Sequence, residues 1–209
     1  MYEDLIADLD EYFCENYANY DKLCVQQGYR MPEMHTTKTD EYGRTFAYTL
    51  PANTMRLSQQ ENKAEILTQI KAQIIDKSFS FSFHPYGFFK RIVKAFSRSA
   101  LHRMLKVILA AHKTTEEDAL ARVNVDEEIW TRICKGEFLP SKNLVLSLAL
   151  TCHFTFSETN ALLFACDEEF DFTQERDVAI SYLLVKKIYN ADMWQAVFSE
   201  YKVENLFIK

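Results

Sequence analysis

The sequence predicts a mainly α-helical protein: a C-terminal helical domain over residues 86–209, preceded by a small helical or α+β segment over residues 1–85. Three observations predict it. Four Gly and four Pro in 209 residues leave few breakers and few hairpins. Apolar side chains recur at three- and four-residue spacing along several long stretches, the mark of helices that bury one face. Hydrophobic side chains make up 48% of the chain, enough at this length for one good core or two small ones, so disorder is not the default.

Taken in order, residues 2–28 read as one or two amphipathic helices, with Leu5, Ile6, Leu9, Tyr12, Phe13 and Tyr17 on a repeating face and Gly28 as a stop. Residues 29–60, with Pro32, Gly43 and Pro51, read as irregular, broken by a strand at Thr45–Leu50. Glu61–Lys77 is expected as a helix through Ile66, Leu67, Ile70 and Ile74. The SFSFSF run at 78–83 alternates like a strand and would form a small sheet with 45–50 before His84, Pro85 and Gly87 end it. A boundary is therefore expected near residues 78–87. Beyond it, Phe88, Phe89, Ile92, Val93 and Phe96 fall at helical spacing and read as a core face.

The stretch TEEDALARVNVDEEIWTRICKGEFLPS, Thr115–Ser141, carries the most specific pattern. Thr114 or Thr115 is a good N-cap, Glu116 and Glu117 suit a first turn, and Ala119, Leu120 and Val123 give a short apolar face. Asn124 tolerates a left-handed backbone and can turn the chain, Val125 is an apolar plug, and Asp126 can cap a next helix with Ile129, Trp130 and Ile133 inward. Gly136 stops that helix; Pro140 and Ser141 open another, whose Leu144, Val145, Leu148 and Leu150 continue a buried stripe. Two short helices joined by a tight turn make a helix-turn-helix, over about 115–141. Helices at Glu158–Cys166, Arg176–Lys187 and Asp192–Tyr201 would pack on it as an extension.

These residues resemble the lambda-repressor-like, Xre-type helix-turn-helix family, in which a pattern similar to NV-D-x-x-I-W-T-R-I-x-x-G followed by PS recurs at this spacing. PSKNLVLSLAL followed by FSETNALLFAC is similar to a group of bacterial proteins that carry the module behind another domain. The resemblance covers roughly residues 100 to 205. It implies a transcriptional regulator whose third helix enters the major groove of DNA.

The charges depart from that expectation. Bases and phosphates want donors, yet the residues opening the third helix are Asp126, Glu127 and Glu128, and the phosphate-contacting position of the second is Glu116, followed by Glu117 and Asp118. Each carboxylate should oppose approach to a polyanion. Glu116, Asp126, Glu127, Glu128 and Thr131 are therefore candidate contacts to a protein partner, itself basic. The same acids also suit helix N-termini for purely local reasons.

The net charge of -6 hides an asymmetry. Residues 77–115 contain no Asp or Glu but eight cations, leaving 16 basic against 30 acidic residues elsewhere. Such a block is a footprint of an anionic partner, and Phe79, Phe81, Phe83, Tyr86, Phe88, Phe89 and Phe96 could stack on bases. It reads more readily as a core helix with a solvated basic side. Seven of the eleven tyrosines fall at positions 2–48, a composition that suits either a partner surface or ordinary packing.

No glycine-rich phosphate loop, H-E-x-x-H, paired C-x-x-C or nucleophile elbow occurs, so neither catalysis nor a cofactor is expected. His35, His84, His102, His112 and His153 are scattered, and Cys152 beside His153 lacks further ligands at metal spacing, so no metal site is expected. Asp167, Glu168, Glu169 and Asp171 lack the loop glycine of a calcium site and read as a solvated turn. The sequence has no apolar run of about 18 residues and no charged-then-apolar leader, which predicts a cytoplasmic protein without a membrane partner. Five cysteines, Cys14, Cys24, Cys134, Cys152 and Cys166, fit free thiols in a reducing compartment.

Two readings follow. In one the chain is a non-enzymatic helix-turn-helix protein, regulatory or interaction-mediating, whose acidic helix binds protein. In the other it is a DNA-binding regulator, a homodimer gripping phosphates through Lys90, Arg91, Lys94, Arg98, Arg103, Lys106, Arg132 and Lys135. The resemblance implies the second; the side chains favour the first.

Overall fold

The computed structural model describes residues 2–18, 35–39, 42–49, 63–74, 95–204 and 206–209. Over these the protein is mainly helical, with a single two-stranded sheet. Helix α1 (Glu3–Asn16) buries Leu9, Phe13 and Cys14, with Tyr17 just past its end, and places Glu3 and Asp4 where the helix dipole favours anions. It stops at Tyr17, where the backbone turns extended. The stop expected at Gly28 lies outside the described residues, as does the expected boundary at 85–86.

Strands β1 (His35–Thr39) and β2 (Thr45–Thr49) pair antiparallel, His35 opposite Thr49 and Thr39 opposite Thr45. The strand expected from Thr45 is present, but its partner is HTTKT, a stretch the sequence pattern left irregular. Threonines give β-branched stiffness without the apolar alternation by which strands are recognised. Gly43, at φ 77, supplies a left-handed position in the connecting loop. The SFSFSF run lies outside the described residues. Helix α2 (Lys63–Gln73) buries Leu67 and Ile70, with Ile74 following, and α3 (Ala95–Ala111) buries Leu101, Leu105, Ile108 and Leu109.

Then come α4 (Glu116–Arg122), α5 (Glu127–Cys134), α6 (Lys142–Thr151), α7 (Phe156–Ala165), α8 (Glu175–Val185) and α9 (Ala191–Glu200). Their starts are written in side chains. Thr115 and Asp118, and Thr155 and Glu158, form reciprocal capping boxes, while Asp126, Ser141 and Asn190 cap α5, α6 and α9. The box at Thr155 starts α7 two residues before the expected Glu158.

The ends of the later helices share one device. After α3, α6, α7, α8 and α9 the chain passes through a left-handed residue, Lys113, His153, Asp167, Lys187 and Lys202, and α5 does the same with Gly136. The next backbone N–H then reaches back five residues, as Thr114 to Leu109 (2.9 Å), Glu137 to Arg132 (2.8 Å), Phe154 to Ala149 (2.8 Å) and Ile188 to Leu183 (2.8 Å). This arrangement satisfies carbonyls that a helix end would otherwise strand. Asn124 turns the chain without the left-handed backbone it tolerates; its N–H donates to the Phe207 carbonyl at 2.8 Å.

Helix α6 is the centre. Asn143 through Thr151 are all buried, so the expected apolar stripe is in fact a helix enclosed on every side, by α4, α7 and α8. Its polar groups are absorbed locally: Ser147 donates to the Asn143 carbonyl (2.7 Å) and Thr151 to the Ser147 carbonyl (2.8 Å). At its start the fully buried Asp177 accepts from Lys142, from Arg176 (3.0 Å) and from the Asp171 N–H (2.7 Å), so its charge is paired and hydrogen-bonded as burial requires. Residues 206–209 lie along the α4–α5 turn, with Val123 and Ile208 bridged antiparallel and Phe207 donating to Ser147 Oγ at 2.8 Å. The turn is thereby fixed to α6.

The first helix joins this body. It packs on α8 and α9, and Tyr12 to Ser181 (3.1 Å), Tyr17 to Glu175 (2.7 Å) and Tyr182 to Asp8 (2.9 Å) tie it to α8. Tyr12 and Tyr17 are thus packing residues; Tyr42, on the hairpin loop, is exposed.

Candidate functional site

Helix α5 buries Trp130 and Ile133 and leans Ile129 against the core, which turns the opposite face outward. Asp126, Glu127, Glu128 and Thr131 are exposed there, and Glu128 is 78% exposed. Asp126 spends one carboxylate oxygen on the Glu128 N–H (2.8 Å) and so fixes the start of the helix. Over α4, the turn, α5 and its exit, the exposed charged residues are Glu117, Asp118, Asp126, Glu127, Glu128 and Glu137 against Arg122, Arg132 and Lys135. Two of these cations are engaged. Arg132 lies 3.6 Å from both Glu128 and Glu137 and stacks on the Phe138 ring, and Arg122 donates to the Thr151 carbonyl at 2.8 Å. The face is net acidic.

Glu116 is not part of it. The side chain is half-buried and turns between α3, α4 and α5, where Oε1 lies 3.2 Å from His102 Nε2 and 3.2 Å from Lys106 Nζ, and Oε2 accepts from Cys134 Sγ at 3.5 Å. Burial pushes its carboxyl upward, but hydrogen bonds from Lys106 and Cys134 and the charges of His102 and Lys106 outweigh it and hold it below the ordinary value. Burial, then the charge and hydrogen bond of Glu116, push the Cys134 thiol up to about 12. Sequence reading missed His102 and Cys134 because the three residues come from three helices at no metal or catalytic spacing; only the placement of α3 against α4 could have joined them.

The cations of the basic block divide. Lys90, Arg91 and Lys94 lie outside the described residues, and Arg98 lies in α3 where the side chain is not described. Arg103 is exposed, Lys106 is paired with Glu116, and Lys135 is exposed at the end of α5. Among the described residues Cys14, Cys134, Cys152 and Cys166 form no disulfide.

A wide groove of about 930 Å³ opens between α9 and residues 202–204 and 206–209, with Trp194 and Phe198 in its wall. Of its cations Arg122, Lys202 and Lys209, the first two already donate to the backbone carbonyls of Thr151 (2.8 Å) and Ala72 (3.2 Å). Among the described residues no helix is long and apolar enough to cross a membrane. Comparison of the chain with protein-family models, curated proteins and solved structures finds no match.

Proposed function

We propose that α3–α7 form a helix-turn-helix scaffold of the lambda-repressor-like kind, used as a non-enzymatic, intracellular protein-interaction or regulatory module. In this reading α4 and α5 are its second and third helices, and α5 presents Asp126, Glu127, Glu128 and Thr131 to a basic protein surface. The observation that carries it is the exposed acidic face of α5, in which Arg132 is already compensated by Glu128 and Glu137. A duplex would meet repulsion at the helix that should enter its groove. A basic partner would meet complementary charge, which speeds encounter and fixes register. The short α4, the four-residue turn and the tail bonded to that turn support a rigid presentation of α5.

The test compares a fluorescent lysine- and arginine-rich peptide with a mixed-sequence DNA duplex, by anisotropy from about 50 to 200 mM salt. The peptide is expected to bind, and Glu127→Lys with Glu128→Lys to abolish that binding, while Glu168→Lys with Glu169→Lys, at another acidic turn, leaves it nearly unchanged. Duplex binding with a steep salt dependence, lost when Arg103, Lys106, Arg132 and Lys135 are neutralised, would overturn this reading in favour of a DNA-binding regulator.

A further inference from the structure

We infer that His102, Glu116 and Cys134 form a binding site for a zinc-class divalent cation that ties α3, α4 and α5 together at one point. One nitrogen, one carboxylate oxygen and one sulfur, each from a different helix, lie within 4.8 Å of one another. The spacing is closer to coordination than that limit implies. Tetrahedral ligation at about 2.0–2.1 Å for N and O and about 2.3 Å for S sets donor atoms roughly 3.3–3.6 Å apart. His102 Nε2 lies 3.2 Å from Glu116 Oε1 and Cys134 Sγ lies 3.5 Å from Oε2, so each pair stands near that spacing, through the two oxygens of one carboxylate. Small side-chain rotations bring all three onto one ion.

The donor set selects the metal. Magnesium and calcium want oxygen shells, whereas an imidazole, a thiolate and a carboxylate together suit zinc or cobalt, with water in the fourth position. Access and shielding are both present. The His102 and Glu116 side chains are 27% and 29% exposed, open enough for entry. Behind them His102 and Cys134 also wall a small enclosed cavity with Leu101, Leu105, Trp130 and Ile133, an apolar backing that strengthens charge attraction. Lys106 now places its ammonium 3.2 Å from Glu116 Oε1, and with 58% of that side chain exposed it can swing out to water as an ion enters. The Cys134–Glu116 hydrogen bond is lost as the sulfur–metal bond forms, and the thiol proton leaves to solvent.

Such an ion would lock the end of α5 to the helices beneath it. The site itself depends on no property of the acidic face, so its test is separate from the binding experiment above.

The metal-free full chain is titrated with cobalt(II), then with zinc(II). One equivalent of cobalt should give the visible bands of a four-coordinate ion and a sulfur-to-metal charge-transfer band, both displaced by zinc, with a rise in Tm. Cys134→Ser should abolish the charge-transfer band, and His102→Gln should weaken zinc at least about tenfold, since even partners one shell further out cost that much. Circular dichroism establishes that each variant keeps its helices. Absence of the charge-transfer band in the unaltered chain overturns the inference without any variant. So does a band that survives in Cys134→Ser, which would put the metal at another cysteine.

Discussion

Glu158 shows how much one side chain is asked to do. Its Oε2 accepts from the Thr155 N–H (2.7 Å), the Thr155 hydroxyl (2.8 Å) and His112 Nε2 (2.9 Å), so the cap of α7 is also a tie to the end of α3. Burial pushes this carboxyl upward, but the Thr155 N–H, His112 and the Thr155 hydroxyl together hold it below its ordinary value of 4.5. The sign of the pH dependence follows. Between the two values the folded molecule holds fewer protons than the unfolded chain, so its stability rises with pH. The contribution is fully present above 4.5 and is lost as pH falls through the lower, folded value. Glu158→Gln is expected to cost about 1 kcal/mol at pH 7, the usual size of a lost cap, with the difference from the unaltered chain shrinking below that range. Urea denaturation at pH 7 and pH 3 checks it, and an equal difference at both would remove the charge from the account.

At the scale of elements, what could be read in the residues depended on whether the signal was local. The starts of α5 and α6 were legible because Asp126 and Ser141 are caps in their own right. The ends were less so. Gly136 announces its left-handed turn, but Lys113, His153, Asp167, Lys187 and Lys202 adopt the same conformation without glycine, so nothing in their type marks it. The same limit hid β1 in a threonine run and left His102, Glu116 and Cys134 as separate residues, since only packing brings them together. The non-glycine ends carry a measurable strain. A left-handed residue with a Cβ costs about 1–2 kcal/mol, while glycine there gives back roughly 0.4–1 kcal/mol through its freer unfolded chain. Lys187→Gly, at an exposed position with φ 55, is therefore expected to stabilise the protein by about 0.5–1 kcal/mol. A higher urea midpoint at unchanged slope is the sign to look for; a lower one would mean that the Lys187 side chain contributes more than its backbone costs.

For the whole molecule the decisive question is how firmly α1 belongs to the helical body that presents α5. Its contacts are long-range and varied. Phe13 is fully buried, stacked on Tyr17 (4.7 Å between centroids) and tilted against Tyr201 of the α9 end (4.8 Å). Around this aromatic group, Lys71 bridges Asp10 (2.8 Å) and Glu200 (2.6 Å), and Tyr201 donates to Asp10 at 2.7 Å. The Tyr201 hydroxyl is kept protonated, burial being the largest cause and Asp10 the next. Charge pairs at such partly exposed sites contribute little by themselves, so the apolar centre must dominate the docking. Phe13→Ala is expected to cost about 3–5 kcal/mol, the range for emptying a buried aromatic site. If α1 is part of one cooperative core, near-UV and far-UV signals will melt together at the lower temperature. If the loss instead appears as an early, separate transition with the main melt unmoved, α1 is a detachable layer over α8 and α9, and the helices carrying the acidic face stand without it.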